Sequence, residues 1–166
     1  MRRIAVAVVA MLCGCAADVD APAPAVTNAC AGQERRVLIA PELAAWEPSI
    51  RWAFDTWTAV APTAPARLEV SSSAARTARA CVTSFVAAPE LVFPVFAETS
   101  RGFVLVEPDR FATDEEARRA LMLHELGHLL FGLGDRRGDM TSAMGLPIHT
   151  PARLSPRDVD DARASR

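Results

Sequence analysis

Between Ala117 and Phe131 the chain has no proline, and Ala117, Ala120, Leu121, Leu123, Leu126, Leu129 and Leu130 make it apolar on most sides of a helical repeat. A helix of that kind belongs in the core of a domain, because no single buried stripe would cover it. The rest of the chain must therefore fold around this segment. Thr113 as N-cap with Glu116 as its N3 partner fits a capping box, and the acidic first turn suits the helix dipole. Gly132 and Gly134 stop the helix at its other end.

This buried helix carries His124, Glu125 and His128. Residues four apart project from one face, one turn apart, so the two imidazoles can hold a single metal ion. Glu125 lies about 100° around the helix, where it can reach a water on the ion rather than the ion itself. The arrangement is the H-E-x-x-H pattern of zinc-dependent hydrolases. A helix can carry that pattern by accident, but the cap and the glycine stop weigh against it. Catalytic zinc takes three protein ligands and leaves one position for water. Asp135, Asp139 and His149 follow the motif and are the candidates for the third, the remaining reading being that no third protein ligand exists. Gly127, inside the motif, reads as a small packing residue.

The chain opens Met1-Arg2-Arg3, continues apolar from Ile4 to Leu12, and then reads Leu12-Cys13-Gly14-Cys15. A charged start, a short apolar stretch and small residues before a cysteine have the shape of an export signal. The apolar run is too short to span a bilayer. Leu12 to Cys15 resembles a bacterial lipobox, which implies lipidation of Cys15; cleavage after Ala16 or Ala17 is the alternative. Residues 1–14 are then a lipoprotein signal peptide, and 15–29, rich in Ala and Pro, a flexible tether. Residues 30–166 suffice for one domain and are too few for two. Export places Cys30 and Cys81 in an oxidising compartment, where such a pair forms a disulfide. Latency through a Cys30 thiolate is the other reading, and its neighbours give it no support. The formal net charge of −2, with no basic patch, points away from nucleic acid. Membrane contact is expected only through the N-terminal lipid, at the cell envelope, or not at all if the chain is secreted.

Residues 36–40 read as a first strand. A first helix follows Pro48, with Ile50, Ala53, Phe54, Trp57 and Val60 at helical spacing and Pro62 and Pro65 closing it. Trp57 and Phe54 are core residues on that periodicity. Further strands are expected at 67–70, 80–86 and 102–106, with an edge strand or irregular crossing over 89–98. The order gives an α/β fold, a small twisted mixed sheet packed on the first helix and on the central motif helix.

Beyond the motif, the chain resembles the metzincin peptidases, whose pattern is H-E-x-x-H-x-x-G-x-x-H or the same with a final Asp, followed by a methionine in a tight turn. Within that group it is most similar to the matrixin-type enzymes. Ile50 to Trp57 resembles their first helix, residues 102–106 the strand before their metal helix, Ser142-Ala143-Met144-Gly145 their Met-turn, and Leu154 to Val159 the start of their C-terminal helix. The match covers about residues 36–160 in the family's order. It implies an α+β fold of the zincin type, a zinc cofactor, and endopeptidase activity on peptide or protein substrates by a monomer. Zinc-bound water would be activated by Glu125 as general base and then acid. His124, His128 and Asp135 would be the ligands, and Met144 a structural floor.

The family glycine falls where this chain has Phe131, so Gly132-Leu133-Gly134-Asp135 fits with one residue inserted. The polar end of the chain, Asp160 to Arg166, invites fraying of the last helix. With three histidines in all, a second histidine-rich zinc site is not expected, and the absence of tyrosine removes the tyrosine that follows the Met-turn in some branches. The alternative function is a catalytically impaired zincin-fold surface lipoprotein that acts by binding.

Overall fold

The structure is a computed structural model and describes residues 33–62, 66–76, 80–91, 95–100, 102–109, 111 and 113–165. The signal segment, the tether, Cys15 and Cys30 lie outside the described residues. Cys81 is disulfide-bonded.

Five strands form one mixed sheet in the order β2-β1-β3-β5-β4. They are β1 (Arg35–Ile39), β2 (Ala66–Val70), β3 (Val82–Ala87), β4 (Ala97–Ser100) and β5 (Phe103–Val106). β1, β2, β3 and β5 run parallel, and β4 pairs antiparallel with β5, Ala97 opposite Val106 and Ser100 opposite Phe103. The inner strand β1 has Val37, Leu38 and Ile39 all buried, the continuous apolar run of a parallel strand covered on both faces. In β5 burial alternates, with Val104 and Val106 inside, which is the period of two expected of a strand covered on one face.

After β1 a 3-10 turn (Pro41–Trp46) leads into α1 (Glu47–Val60). Pro48 sits in the first turn of α1, where its missing N–H costs nothing. Ile50, Ala53, Phe54 and Trp57 are buried and share one core with Val37, Ile39, Phe85, Val104 and most of α2 (Glu115–Phe131). α1 and α2 pack on each other, and α2 also meets β4. The motif helix is thus enclosed, and its burial runs from Leu121 to Gly127 without a break.

The N-cap of α2 is Asp114, one residue beyond the expected Thr113; its carboxylate accepts from the Ala117 amide at 2.9 Å. Either residue type caps well. At the other end Gly132 adopts a left-handed conformation, φ 64°, and its amide bonds back to the His128 carbonyl. That conformation is open to glycine at little cost.

Beyond α2 a two-stranded bridge joins β6 (Arg136–Arg137) to β7 (Gly145–Leu146), and α3 (Pro156–Ala164) closes the chain. Ser155 caps α3 in a reciprocal capping box with Asp158. The helix continues to Ala164, into the polar end where fraying is expected. In the region 89–98 the described residues before Ala97 are irregular, and the edge strand begins at Ala97.

Candidate metal centre

α2 turns His124 and His128 to one side, with ring centroids 4.7 Å apart. His124 Nε2 and His128 Nε2 are 3.1 Å apart, and Asp135 Oδ1 lies 3.2 Å from the first and 3.1 Å from the second. Ligands 2.0–2.2 Å from a tetrahedral zinc ion stand about 3.3–3.5 Å from one another. The triangle therefore has nearly the size that such an ion requires.

The proton positions sharpen this. His124 Nδ1 lies 2.9 Å from the Ala143 carbonyl and His128 Nδ1 2.5 Å from the Leu133 carbonyl. A carbonyl only accepts, so in each neutral ring Nδ1 carries the proton and Nε2 presents a lone pair. Two nitrogen lone pairs and a carboxylate oxygen thus converge, and buried Asp135 Oδ1 has no hydrogen-bond donor. Three acceptors so close repel one another unless a cation lies among them. Among the described residues, His124, His128 and Asp135 form a group that could hold a metal ion.

The charges agree. With the rings protonated instead, both Nε2–H groups face Asp135, and their hydrogen bonds and charge outweigh the burial that would raise its carboxyl and hold it far below the carboxylate range. Burial likewise lowers His128, and the pull is more than offset by the Asp135 hydrogen bond, the Glu125 charge and the Leu133 carbonyl, so its value rises. Each partner favours the other's charged form in the metal-free chain.

Asp135 reaches the histidines because α2 runs through Phe131 and Gly132 ends it in the left-handed turn. Phe131 is buried with its ring 5.1 Å from that of Trp57, so it fills core space. Leu133 then turns its carbonyl to His128, and Asp135 follows at the group's open side, its side chain 17 % exposed.

The other candidates stand elsewhere. Asp139 accepts from the Thr141 amide and hydroxyl, at 3.0 and 2.8 Å, in an exposed turn. His149 lines a small cavity with Ser142, Ala143 and Ala152. Glu125 is wholly buried, and Thr99 of β4 donates to its Oε2 at 2.5 Å. Met144, also fully buried, lies beneath Gly127.

Sequence reasoning missed Thr99, the two carbonyls that fix the ring tautomers, and the supports of the 142–145 turn. That turn hangs on Asp158, whose Oδ1 accepts from Ser142 Oγ (2.6 Å) and whose Oδ2 accepts from the Ala143 amide (2.9 Å). Nothing in local sequence marks these contacts, since all but that of Leu133 with His128 join residues 15 to 26 apart in the chain. Compared with known protein families and with curated proteins, the sequence matches none.

Proposed function

We propose that the chain is a zinc-dependent endopeptidase of the metzincin type, matrixin-like, exported to the bacterial envelope and anchored through Cys15. One observation carries this reading: His124 Nε2, His128 Nε2 and Asp135 Oδ1 converge within 3.2 Å of each other, on a helix that also carries Glu125. Two imidazoles and one carboxylate are a donor set suited to zinc.

When bound, zinc supplies Lewis acidity toward a carbonyl and toward water. Glu125 then has the part of general base, taking a proton from the attacking water on its carboxylate and passing it to the leaving amine. Thr99 holds one oxygen of that carboxylate and so fixes its direction. Ala143 and Leu133 hold the rings with Nε2 inward. β4 is an edge strand, and a peptide can add to it by backbone pairing, which would bring a scissile bond past Glu125. Met144 supports the helix from below.

The complete burial of Glu125 favours a second reading, a binding protein of the same fold that holds metal without efficient hydrolysis. Purified protein at neutral pH separates the two. Stoichiometric zinc with cleavage of a denatured protein, reduced at least about 10²-fold by Glu125→Gln with zinc retained, supports the enzyme. Zinc without cleavage supports the binding protein, and a chain that takes up no zinc overturns both.

A further inference from the structure

The residue after the third candidate ligand, Arg136, is held through both its backbone and its side chain. The Arg136 amide donates to the Met144 carbonyl at 2.8 Å, in the bridge between β6 and β7. Its guanidinium, 10 % exposed, pairs with Asp158 and with Asp161 on α3, the latter at 2.5 Å, and donates to Ser142 Oγ at 2.8 Å. Asp158 has no exposed surface, and its other oxygen takes the Ala143 amide, whose residue turns its carbonyl to His124. The supports of two ligands, Asp135 through Arg136 and His124 through Ala143, therefore meet at one carboxylate of α3.

We propose that Arg136 and α3 form a clamp on the metal centre, so that the docking of the last helix sets metal affinity and the metal in turn holds the helix. This rests on the reading of His124, His128 and Asp135 as metal ligands. Arg136 is a positioning residue, acting through the backbone of Asp135 and through Asp158. The planar fork of arginine suits the task, since one group spans two carboxylates and a hydroxyl. Reciprocity follows from linkage: whatever α3 docking adds to zinc affinity, zinc adds to α3 docking.

Sign separates the clamp from a bystander charge. Removing a positive group near a bound dication strengthens binding by Coulomb's law. Loss of a positioning residue weakens it, by roughly tenfold or more where an outer support of a ligand is removed. The zinc dissociation constant of the full chain, measured by competition with a chromophoric chelator, is compared with those of Arg136→Gln, Arg136→Lys and Asp161→Asn. The expected result is roughly tenfold weaker zinc for Arg136→Gln, partial recovery in Arg136→Lys, and a smaller loss in Asp161→Asn. Arg51→Gln, which removes an exposed arginine paired along α1 with Glu47, is to leave affinity unchanged.

Asp161→Asn removes a negative charge and weakens zinc by Coulomb's law alone, so amide exchange in α3 carries the test if Arg136→Gln fails to fold. In the wild-type chain zinc is also to slow amide exchange in α3, and to do so less in Asp161→Asn. Unchanged or tighter zinc in both the Arg136→Gln and Asp161→Asn chains, or exchange in α3 indifferent to zinc, overturns the clamp. Zinc uptake without hydrolysis sinks the endopeptidase and leaves the clamp standing, while an active enzyme with an indifferent Arg136 does the reverse.

Discussion

Gly127 and Gly145 hold the floor of the site, and each does so by having no side chain. A methyl group on residue 127 would lie 2.3 Å from Met144 Sδ and 3.1 Å from Trp57 Cζ2. Alanine gains about 1 kcal/mol over glycine inside a helix, whereas overpacking a core costs about 1–3 kcal/mol. Met144 is fully buried and Trp57 is pinned by its indole N–H on the Leu123 carbonyl at 2.8 Å, so the second effect wins. Gly127→Ala is expected to lose about 1 kcal/mol by urea unfolding, and a raised midpoint would contradict the packing. Gly145 is stricter. There a methyl group would stand 1.9 Å from the Asp139 carbonyl oxygen, which is backbone and cannot swing aside. Gly145→Ala should cost about 3 kcal/mol or more, while Gly134→Ala, with nothing within 4 Å, should stay within about 0.5 kcal/mol. The sequence marked Gly127 as a packing residue. It could not mark what Gly127 packs against, because Met144 and Trp57 come from other parts of the chain.

The elements were legible in proportion to how local their causes are. α2 announces itself through its apolar run, acidic first turn and glycine stop, and only its cap moves by one residue, to Asp114. β5 shows its period, and α1 its proline and helical spacing. β4 is only four residues long and preceded by irregular chain, so its start at Ala97 depends on pairing with β5, which the sequence does not display. The order of α3 has a similar source, since its polar face is held by Arg136 and by Asp158, which also caps its first turn. Burial raises the Asp158 carboxyl, yet hydrogen bonds from Ser142, Ser155 and Ala143 more than offset this, and its value in the folded chain lies below the unfolded one. Such a group contributes stability above the unfolded value, about pH 4, and loses it as pH falls through the folded value. Asn at 158 would turn an amide N–H toward donors already there and leave Arg136 short of a charge. Asp158→Asn is therefore expected to destabilise by about 3–5 kcal/mol near pH 7, with the gap to wild type closing below about pH 4. Urea unfolding across pH 3–7 measures this, and a gap constant with pH would rule out the carboxylate as its source.

Over the whole molecule, the core and the metal group are separate sources of order. The sheet, α1 and α2 close around Ile39, Leu43, Trp57, Phe85, Leu126 and Leu130, an apolar cluster that includes none of the three ligand residues. The metal group stands at the border between α2 and the part that follows it, which joins the same core through Leu133, Ala143, Met144, Ile148 and Ala162 and is tied together by a short bridge and a few ion pairs. A metal that ties this border should therefore adjust stability without deciding whether the chain folds. At a thousandfold excess over its dissociation constant a ligand adds about 4 kcal/mol to the folded state. For a domain of this size that is worth roughly 10–20 °C in melting temperature. Relief of the repulsion among the His124, His128 and Asp135 acceptors is the structural source of that gain. Melting followed by far-UV circular dichroism, with zinc and then with excess chelator, should show a drop of this order and a cooperative transition in both states. A melting temperature indifferent to the chelator would count against the metal centre. A chain unfolded at 25 °C once the metal is removed would count against a core that stands on apolar burial alone.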